Sequence, residues 1–290
     1  MPVPKIPLYL GLVFLLTACG HRSTQQTQYF EAVAANDIPL ATPRKGEWRF
    51  EHPEKVQTFE AYQQMHPVKP SPARSVIYLL PIGDFPPAQE KILKATAEYT
   101  AIFFQLKTVL LPAQTDSAFP GNTFRQREDG HIQLLAPYIL DTLLKGKIPA
   151  DGIVLMGISA RDLYPKKEWN YVFGLASYVD RIGVSSIYRL QDTTHGQQCL
   201  KRLIKVTSHE IGHMFSLHHC LHARCAMNGS NSLQETDQAP NRLCSDCQQK
   251  LYWNLQYDNQ KRLQQLIQFC QQHELQRDEN LLGKDMSEIK

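Results

Sequence analysis

Four histidines, one glutamate and one cysteine fall within the twelve residues "HEIGHMFSLHHC", from His209 to Cys220. On a helix, His209 and His213 lie one turn apart on the same face, so both imidazoles can reach one metal ion. Glu210 is offset from that ion and can address a metal-bound water. The residue types and their spacing are those of a zinc hydrolase site. The alternative is a helix with two chance histidines and a chance glutamate.

His219 is the candidate third ligand, because it lies six residues after His213 and completes H-E-x-x-H-x-x-S-x-x-H. A third histidine at this spacing is the metzincin arrangement, in which the helix stops and the chain turns back to present it. His218 is one residue off this pattern and His222 is further away. We interpret both as neighbours of the ligands or as surface residues.

The elements that must position these residues alternate between strands and helices. The segment "QQCLKRLIKVTSHEIGHMFSL" has apolar residues at helical spacing, which predicts the helix that carries the first two histidines. Three strands are predicted upstream, in "SVIYLLPIGDF", "LKTVLLPA" and "DGIVLMGISARDLYP". Helices are predicted in "PPAQEKILKATAEYTAIFF" and "IQLLAPYILDTLLKG". This alternation predicts an α/β sheet covered by helices, and "YVFGLASYVDRIGVSSIYRL" predicts two further strands around a turn at a sheet edge.

Two pairs of cysteines follow the histidines. Cys220 and Cys225 are close in sequence, and Cys244 and Cys247 form a C-x-x-C. Two pairs at this spacing are typical of a structural zinc site with four thiolates. In an oxidising compartment, two disulfides would be the alternative.

Two further cysteines, Cys199 and Cys270, belong to neither pair. They can form a disulfide with each other or remain as two buried thiols.

The order "HHC", "CAM", "CSDC" resembles the archaemetzincins, a family of zinc metallopeptidases. Their signature runs H-E-x-x-H-x-x-G-x-x-H-C, then C-x-M, then C-x-x-C. The tract "MNGSNSLQETDQAPNRLCSDCQQKL" is similar too, particularly to the animal-type members, as are "IYLLPIGDF", "DLYPKKEWNYVFGLA" and "GVSSIYRL" upstream. The resemblance covers roughly Ser75 to Leu275.

The resemblance implies a metzincin-like zincin fold of the α/β class. Such a fold has a twisted mixed sheet with covering helices, an active-site helix and a small zinc-bound C-terminal subdomain. It also implies two zinc ions, one catalytic and one structural. The ligands of the catalytic ion would be His209, His213 and His219. The ligands of the structural ion would be Cys220, Cys225, Cys244 and Cys247.

Three further expectations follow from the resemblance. Glu210 would act as general base and acid, and Met227 would be the methionine of the turn beneath the catalytic metal. The strand "GVSSIYRL" would be the edge to which an extended peptide substrate adds. Ser216 stands where the family has glycine; serine adopts a left-handed conformation at a cost of about 1 kcal/mol, so we expect the turn to be kept.

The expected function is zinc-dependent hydrolysis of peptide bonds, by an aminopeptidase or an endopeptidase. The alternative is a non-catalytic zinc-binding surface protein that uses the same fold for recognition or scaffolding. The acid at Glu210 favours catalysis, because a purely structural site does not need it.

The N-terminus predicts export. Residues 1–18 read as a lipoprotein signal peptide, because an apolar run too short to span a bilayer precedes Leu16-Thr17-Ala18-Cys19. Cys19 would be lipidated, and Gly20 favours the outer membrane of a bacterial cell envelope over retention at the inner membrane. An ordinary signal peptide with a coincidental cysteine is the alternative. Residues 19–46 are then a polar tether, 47–282 the metallopeptidase domain and 283–290 a charged tail.

The composition of the sequence limits the classes of partner that we expect. The 290 residues are 42% hydrophobic and 20% charged, as in ordinary soluble globular proteins, and the net charge is only +3. The sequence has no basic run with interleaved aromatics, which argues against nucleic acid as a partner. We expect a monomer that acts on peptides or proteins and meets the membrane only through its anchor.

Overall fold

The computed structural model describes residues 26, 28–117, 119–192 and 196–289. The predicted signal peptide and Cys19 lie outside these ranges. Within them, no helix combines the length and the apolar character that crossing a bilayer requires.

In the described part of the chain, eight strands form two sheets. The strands are β1 (Val76–Ile82), β2 (Thr108–Leu110), β3 (Phe124–Gln126), β4 (Ile132–Leu135), β5 (Gly152–Ser159), β6 (Asp162–Tyr164), β7 (Gly174–Ser177) and β8 (Ile182–Ser186). The larger sheet has the order β2-β1-β5-β8-β7, in which only β7 runs antiparallel to its neighbour. The smaller sheet has the order β3-β4-β6. The molecule is therefore of the expected α/β class with a mixed sheet.

Helices lie before, between and after these strands. They are α1 (Trp48–Glu51), α2 (Phe59–Gln64), α3 (Pro87–Phe104), α4 (Ala136–Tyr138), α5 (Gly196–Met214), α6 (Leu233–Gln238), α7 (Ser245–Leu255), α8 (Asn259–Gln272) and α9 (Gln276–Ser287). Helix α3 begins with a proline pair, which suits the first turn. It ends at Gln105, which has a left-handed backbone (φ 50°).

The core lies between the larger sheet and helices α3 and α5. Strand β5 is buried at every position, because it lies between β1 and β8. Helix α5 packs against α3 and against β7 and β8. Its apolar residues Leu203, Ile204 and Ile211 are fully buried, and so is Thr207, whose hydroxyl lies 3.4 Å from that of Ser185 on β8. These contacts fix the helix on the sheet.

One predicted helix begins later than expected. The first four residues of "IQLLAPYILDTLLKG" form strand β4, which pairs with β3 on one side and β6 on the other. Helical structure starts only at Ala136 and continues as a π-helical turn over Ile139–Leu144. The apolar run alone did not distinguish strand from helix, and pairing on both sides decided it.

The expected tether is in part a packed element of the domain. Residues 28–33 are helical, and Tyr29, Phe30 and Val33 are buried in the core. The hydroxyl of Tyr29 donates a hydrogen bond to the side chain of Gln248 (3.0 Å). These residues of the expected tether therefore belong to the same hydrophobic core as the apolar residues of helix α5.

The expected charged tail is also ordered. Helix α9 continues to Ser287, and Asp285 is completely buried. Its carboxylate accepts hydrogen bonds from the guanidinium of Arg242 (2.7 and 2.8 Å). Because one face of this charged segment packs inward, the described domain extends to at least residue 287.

Candidate metal centre and active-site cleft

Helix α5 carries His209, Glu210 and His213 and stops immediately after them. The Leu217 N–H donates to the Gly212 carbonyl (3.0 Å), and the Ser216 N–H donates to the His213 carbonyl (2.8 Å). These two bonds form a Schellman motif. Its left-handed position is Ser216 (φ 66°), as expected for the residue that replaces glycine. The turn is kept, and the chain reverses towards His219.

The structure brings His209, His213 and His219 together and leaves His218 outside the group. One ring nitrogen of each histidine lies within 4.8 Å of the others. The Nε2 atoms of His209 and His213 are 3.0 Å apart. His218 instead packs edge-on against Tyr178. The three converging imidazoles form a set of nitrogen donors of the kind that zinc prefers.

Each of the three histidines has its Nδ1 atom next to an acceptor. The acceptor is the Ala226 carbonyl for His209 (2.9 Å) and the Leu217 carbonyl for His213 (2.6 Å). For His219 it is the Glu54 carboxylate (2.8 and 3.1 Å). An Nδ1–H that donates to such an acceptor leaves Nε2 free to bind a metal, and this arrangement is general for histidine ligands. The donor set therefore fits a zinc ion.

Glu210 lies beside the histidines with its carboxyl in the cleft. It is buried, and burial raises the pKa of its carboxyl to about 8. A divalent cation bound by the histidines would favour the ionised form. The carboxylate is therefore the form expected beside a metal, in an environment that makes it a stronger base than a solvated glutamate.

Gly174 of strand β7 allows the Glu210 side chain to lie directly against the strand. A Cβ atom placed on Gly174 would overlap the Glu210 side chain and lie 2.7 Å from its Cγ and Cδ. Any other residue at position 174 would therefore displace the carboxylate.

The four paired cysteines form a second cluster directly after the histidines. Their sulfur atoms lie within 4.8 Å of one another, and all four are buried. The sulfur of Cys225 accepts hydrogen bonds from the Met227 N–H (3.4 Å) and the Cys244 N–H (3.3 Å). Such N–H donors stabilise a thiolate, and four buried sulfurs around one point suit a structural zinc ion.

All six cysteines in the described part of the chain are free. Two disulfides within the cluster are therefore not formed, and neither is a disulfide between Cys199 and Cys270. Burial raises the pKa of the Cys199 thiol to about 11, so this residue is an unreactive buried thiol.

The segment from Cys220 to Asn228 joins both clusters. The side chain of Asn228 accepts a hydrogen bond from the Cys225 N–H (2.7 Å) and donates to the Cys220 carbonyl (2.8 Å). Met227 is buried and packs against Gly212 of α5, where an added Cβ would lie 2.5 Å from the methionine sulfur. The Ala226 carbonyl also lies next to Nδ1 of His209. Through these contacts the segment supports helix α5.

A cavity of about 520 Å³ runs past the histidines. Its walls include the aromatic residues Trp48, Trp169, Tyr171, Phe173 and Tyr178. Burial, followed by the nearby carboxylates of Glu210 and Glu54, raises the pKa of Tyr178 to about 12, so its phenol stays protonated at neutral pH. The cavity can bury apolar side chains next to the histidine cluster.

The edge of the sheet along this cavity is not the strand that the sequence suggested. The segment "GVSSIYRL" contains β8, which lies between β5 and β7 and has both of its edges paired. The edge strand is β7, and its residues Gly174, Leu175 and Ala176 line the cavity. The expectation that "GVSSIYRL" is the edge was therefore wrong: the edge is the neighbouring strand, β7.

Several residues at the site escaped the sequence analysis. Glu54, Gln57 and Trp48 lie far upstream in a segment without a recognisable motif, and only the tertiary fold brings them to the histidines. Gln57 is buried; its side chain donates to the Ser216 carbonyl (2.8 Å) and accepts from the His218 N–H (3.1 Å). Tyr178 lies in the turn after β7, with its hydroxyl 3.1 Å from His213 Nδ1.

Comparison with known proteins identifies the family to which this chain belongs. The model of Peptidase family M54 matches residues 136–252. Archaemetzincin-2 of Pongo abelii is 32% identical over 273 residues, covering 81% of this chain and 75% of that protein. This chain belongs to the archaemetzincin family. It is therefore a zinc metallopeptidase.

Other archaemetzincins agree with this assignment. The archaemetzincin of Thermococcus kodakarensis is 34% identical over 186 residues, which cover 62% of this chain and 97% of that protein. The crystal structure of the archaemetzincin from Methanopyrus kandleri superposes with a TM-score of 0.54 at 26% identity. It covers 66% of this chain and the whole of that one. This archaemetzincin thus extends beyond both archaeal relatives.

Proposed function

We propose that this archaemetzincin hydrolyses peptide bonds at the cluster of His209, His213 and His219, with Glu210 as general base and acid. The observation that carries the proposal is the convergence of three imidazoles whose Nδ1 atoms all meet acceptors. A site of this kind presents three Nε2 atoms to one ion and leaves a coordination position open for water or substrate. The four cysteines would hold a second zinc ion with a structural role.

When bound to the histidines, zinc supplies a Lewis acid that polarises the scissile carbonyl and lowers the pKa of a coordinated water. The carboxylate of Glu210 accepts a proton from the attacking water and later delivers it to the leaving amine nitrogen. Its position is held by Gly174 on one side and by helix α5 on the other.

The substrate lies in extended form along β7. This strand is the edge of the larger sheet, so its outward backbone groups can pair with a peptide added antiparallel or parallel to it. Gly174 and Ala176 bring that edge into the cavity beside Glu210. The aromatic walls favour peptides with a large apolar side chain next to the scissile bond.

Replacement of Glu210 tests the catalytic role. We expect Glu210→Gln to abolish cleavage of a peptide library while zinc content stays near two per chain, because the glutamate is not a ligand. Glu98→Gln, which alters an exposed glutamate on α3 outside the cleft, is the matched control and should leave cleavage unchanged. Wild-type cleavage by Glu210→Gln would contradict the proposal. Full zinc with no cleavage even by the wild type would favour a binding protein.

We also propose that the protein is a lipoprotein of a bacterial outer membrane, anchored through Cys19. Support comes from the apolar run before Leu16-Thr17-Ala18-Cys19 and from Gly20 after it. Binding of zinc during folding would protect the cysteine cluster from oxidation outside the cytoplasm.

Labelling with a fatty-acid analogue tests the anchor. The wild type should incorporate the label and fractionate with the outer membrane, and Cys19→Ala should do neither. An unlabelled wild-type protein would contradict the anchor.

A further inference from the structure

The segment from Trp48 to Gln57, which we call the N-terminal strap, contacts the histidine cluster at His219. At one end, the Trp48 N–H donates to Glu235 (2.8 Å), whose other oxygen accepts from the Asn231 N–H (2.8 Å). At the other end, Gln57 binds the turn that follows helix α5 through two hydrogen bonds. The strap is thus fixed at one end to helix α6 and at the other to the turn after helix α5.

Glu54 lies at the middle of the strap and contacts His219. Both of its oxygens lie within hydrogen-bond distance of Nδ1 of that ring (2.8 and 3.1 Å). The indole N–H of Trp48 donates to the same carboxylate (3.2 Å), and the Trp48 ring packs edge-on against His219 (centroids 4.8 Å apart). Carboxylate and indole together fix the position and the tilt of this imidazole.

His219 differs from the other two histidines in what holds it. His209 and His213 lie on a rigid helix, and their Nδ1 atoms meet backbone carbonyls. His219 lies in the chain reversal after the helix, and its acceptor is a charged side chain from a distant segment. A carboxylate that accepts from the Nδ1–H of a metal-binding histidine selects the Nε2 ligand tautomer and fixes the orientation of the ring.

We propose that Glu54 is a positioning residue for His219, and that the N-terminal strap completes the catalytic metal site. The inference rests on the proposed function, in which His219 binds the catalytic zinc. Glu54 acts only through the imidazole: it sets the tautomer, holds the ring towards the other two histidines and places a negative charge beside a site that receives a divalent cation. The turn that carries Ser216 in place of glycine is braced by the same strap through Gln57.

The test measures zinc affinity of the histidine site in the full chain by competition with a chromophoric chelator. We expect Glu54→Ala to weaken this affinity about 10- to 100-fold, and Glu54→Gln, which keeps an acceptor but not the charge, to give a smaller loss. The control is Glu98→Gln, which alters an exposed glutamate of helix α3 outside the strap and the cleft; it should bind zinc like the wild type. The second, cysteine-bound zinc and the thermal unfolding midpoint report on folding and should change little in all three.

A fourth variant separates this inference from the proposed function. His219→Ala should release one zinc per chain if that residue is a ligand; two retained zinc ions would contradict the proposed ligand set itself. If His219→Ala loses zinc but both Glu54 variants bind it within twofold of the wild type, the positioning role is wrong and the proposed function stands. The visible spectrum of the cobalt-substituted protein gives a second readout: Glu54→Ala should shift it, and an unchanged spectrum would also overturn the inference.

Discussion

At the scale of single residues, the site depends on two places where a glycine backbone lies in close contact with a side chain. Gly174 lets strand β7 approach the Glu210 side chain, and Gly212 lets helix α5 approach Met227. These glycines are required by neighbours across the fold rather than by their own backbone angles. A methyl group added at either position must therefore move a residue of the proposed catalytic site.

Gly174→Ala is the sharpest test at this scale. The added Cβ would overlap Glu210, and displacing a catalytic group by about 1 Å can lower the rate about 100-fold. We expect kcat for peptide hydrolysis to fall by that order while both zinc ions are retained, measured by steady-state kinetics and metal analysis.

Gly283→Ala is the control for Gly174→Ala. This glycine lies in helix α9, and a Cβ there meets nothing within 4 Å. The change should leave kcat unaltered and stabilise the helix slightly. Equal kinetics for both variants would show that β7 does not constrain Glu210.

At the scale of elements, the histidine and cysteine clusters share one segment. Helix α5 provides two histidines, the turn at Ser216 presents the third, and Cys220 begins the second cluster at the next residue. The segment from Cys220 to Asn228 returns beneath the helix and supplies the Ala226 carbonyl that meets His209. The geometry of one cluster is therefore a condition for the geometry of the other.

Cys247→Ala tests that coupling. It removes one sulfur from the second cluster and should release its zinc, because three thiolates bind more weakly than four. We expect peptidase activity to fall as well, even though Cys247 lies outside the cleft, since the loop that supports His209 and carries Met227 loses its anchor. Zinc analysis, kinetics and thermal unfolding on one preparation give the three readouts.

The matched control is Cys199→Ala, which alters a buried cysteine of helix α5 outside the cluster. It should keep both zinc ions and most of the activity. If Cys247→Ala loses zinc but cleaves peptides like the wild type, the two sites are independent.

At the scale of the whole molecule, a buried ionic network ties the two ends of the described chain together. Arg242 is buried between Asp37 of the N-terminal part and Asp285 of helix α9. Asp37 also accepts from the Ser245 N–H (3.1 Å), next to the cysteine cluster. Segments far apart in sequence thus converge on the base of the metal-binding region.

Asp285→Asn tests the network. Removing this charge leaves Asp37 as the carboxylate partner of the buried guanidinium, and breaking a buried pair in this way costs about 3 kcal/mol or more. We expect that loss in the free energy of unfolding, measured with urea at constant zinc. Lys284→Ala, which alters the exposed neighbour, should change it by no more than about 0.5 kcal/mol. A loss of that small size for Asp285→Asn would mean that the end of the chain does not contribute to the core.

The sequence predicted the parts of the site that are local and left out those that depend on tertiary contacts. Helix α5, its histidines and the cysteine pairs follow from short spacings, and the strand–helix alternation predicted the α/β class. Glu54 and Gln57 have no such spacing to the histidines more than 150 residues later. Strand order is likewise a property of the whole sheet, so the edge was assigned to the segment of β8 instead of to β7.

The central claim is that one zinc ion at the three histidines performs the hydrolysis while a second is structural. The most direct measurement is zinc per chain by native mass spectrometry, paired with peptide hydrolysis, for the wild type and His213→Ala. The account predicts two zinc ions and activity for the wild type, and for the variant one zinc ion, retained folding and no activity. Two zinc ions in His213→Ala, or hydrolysis by the one-zinc protein, would contradict it.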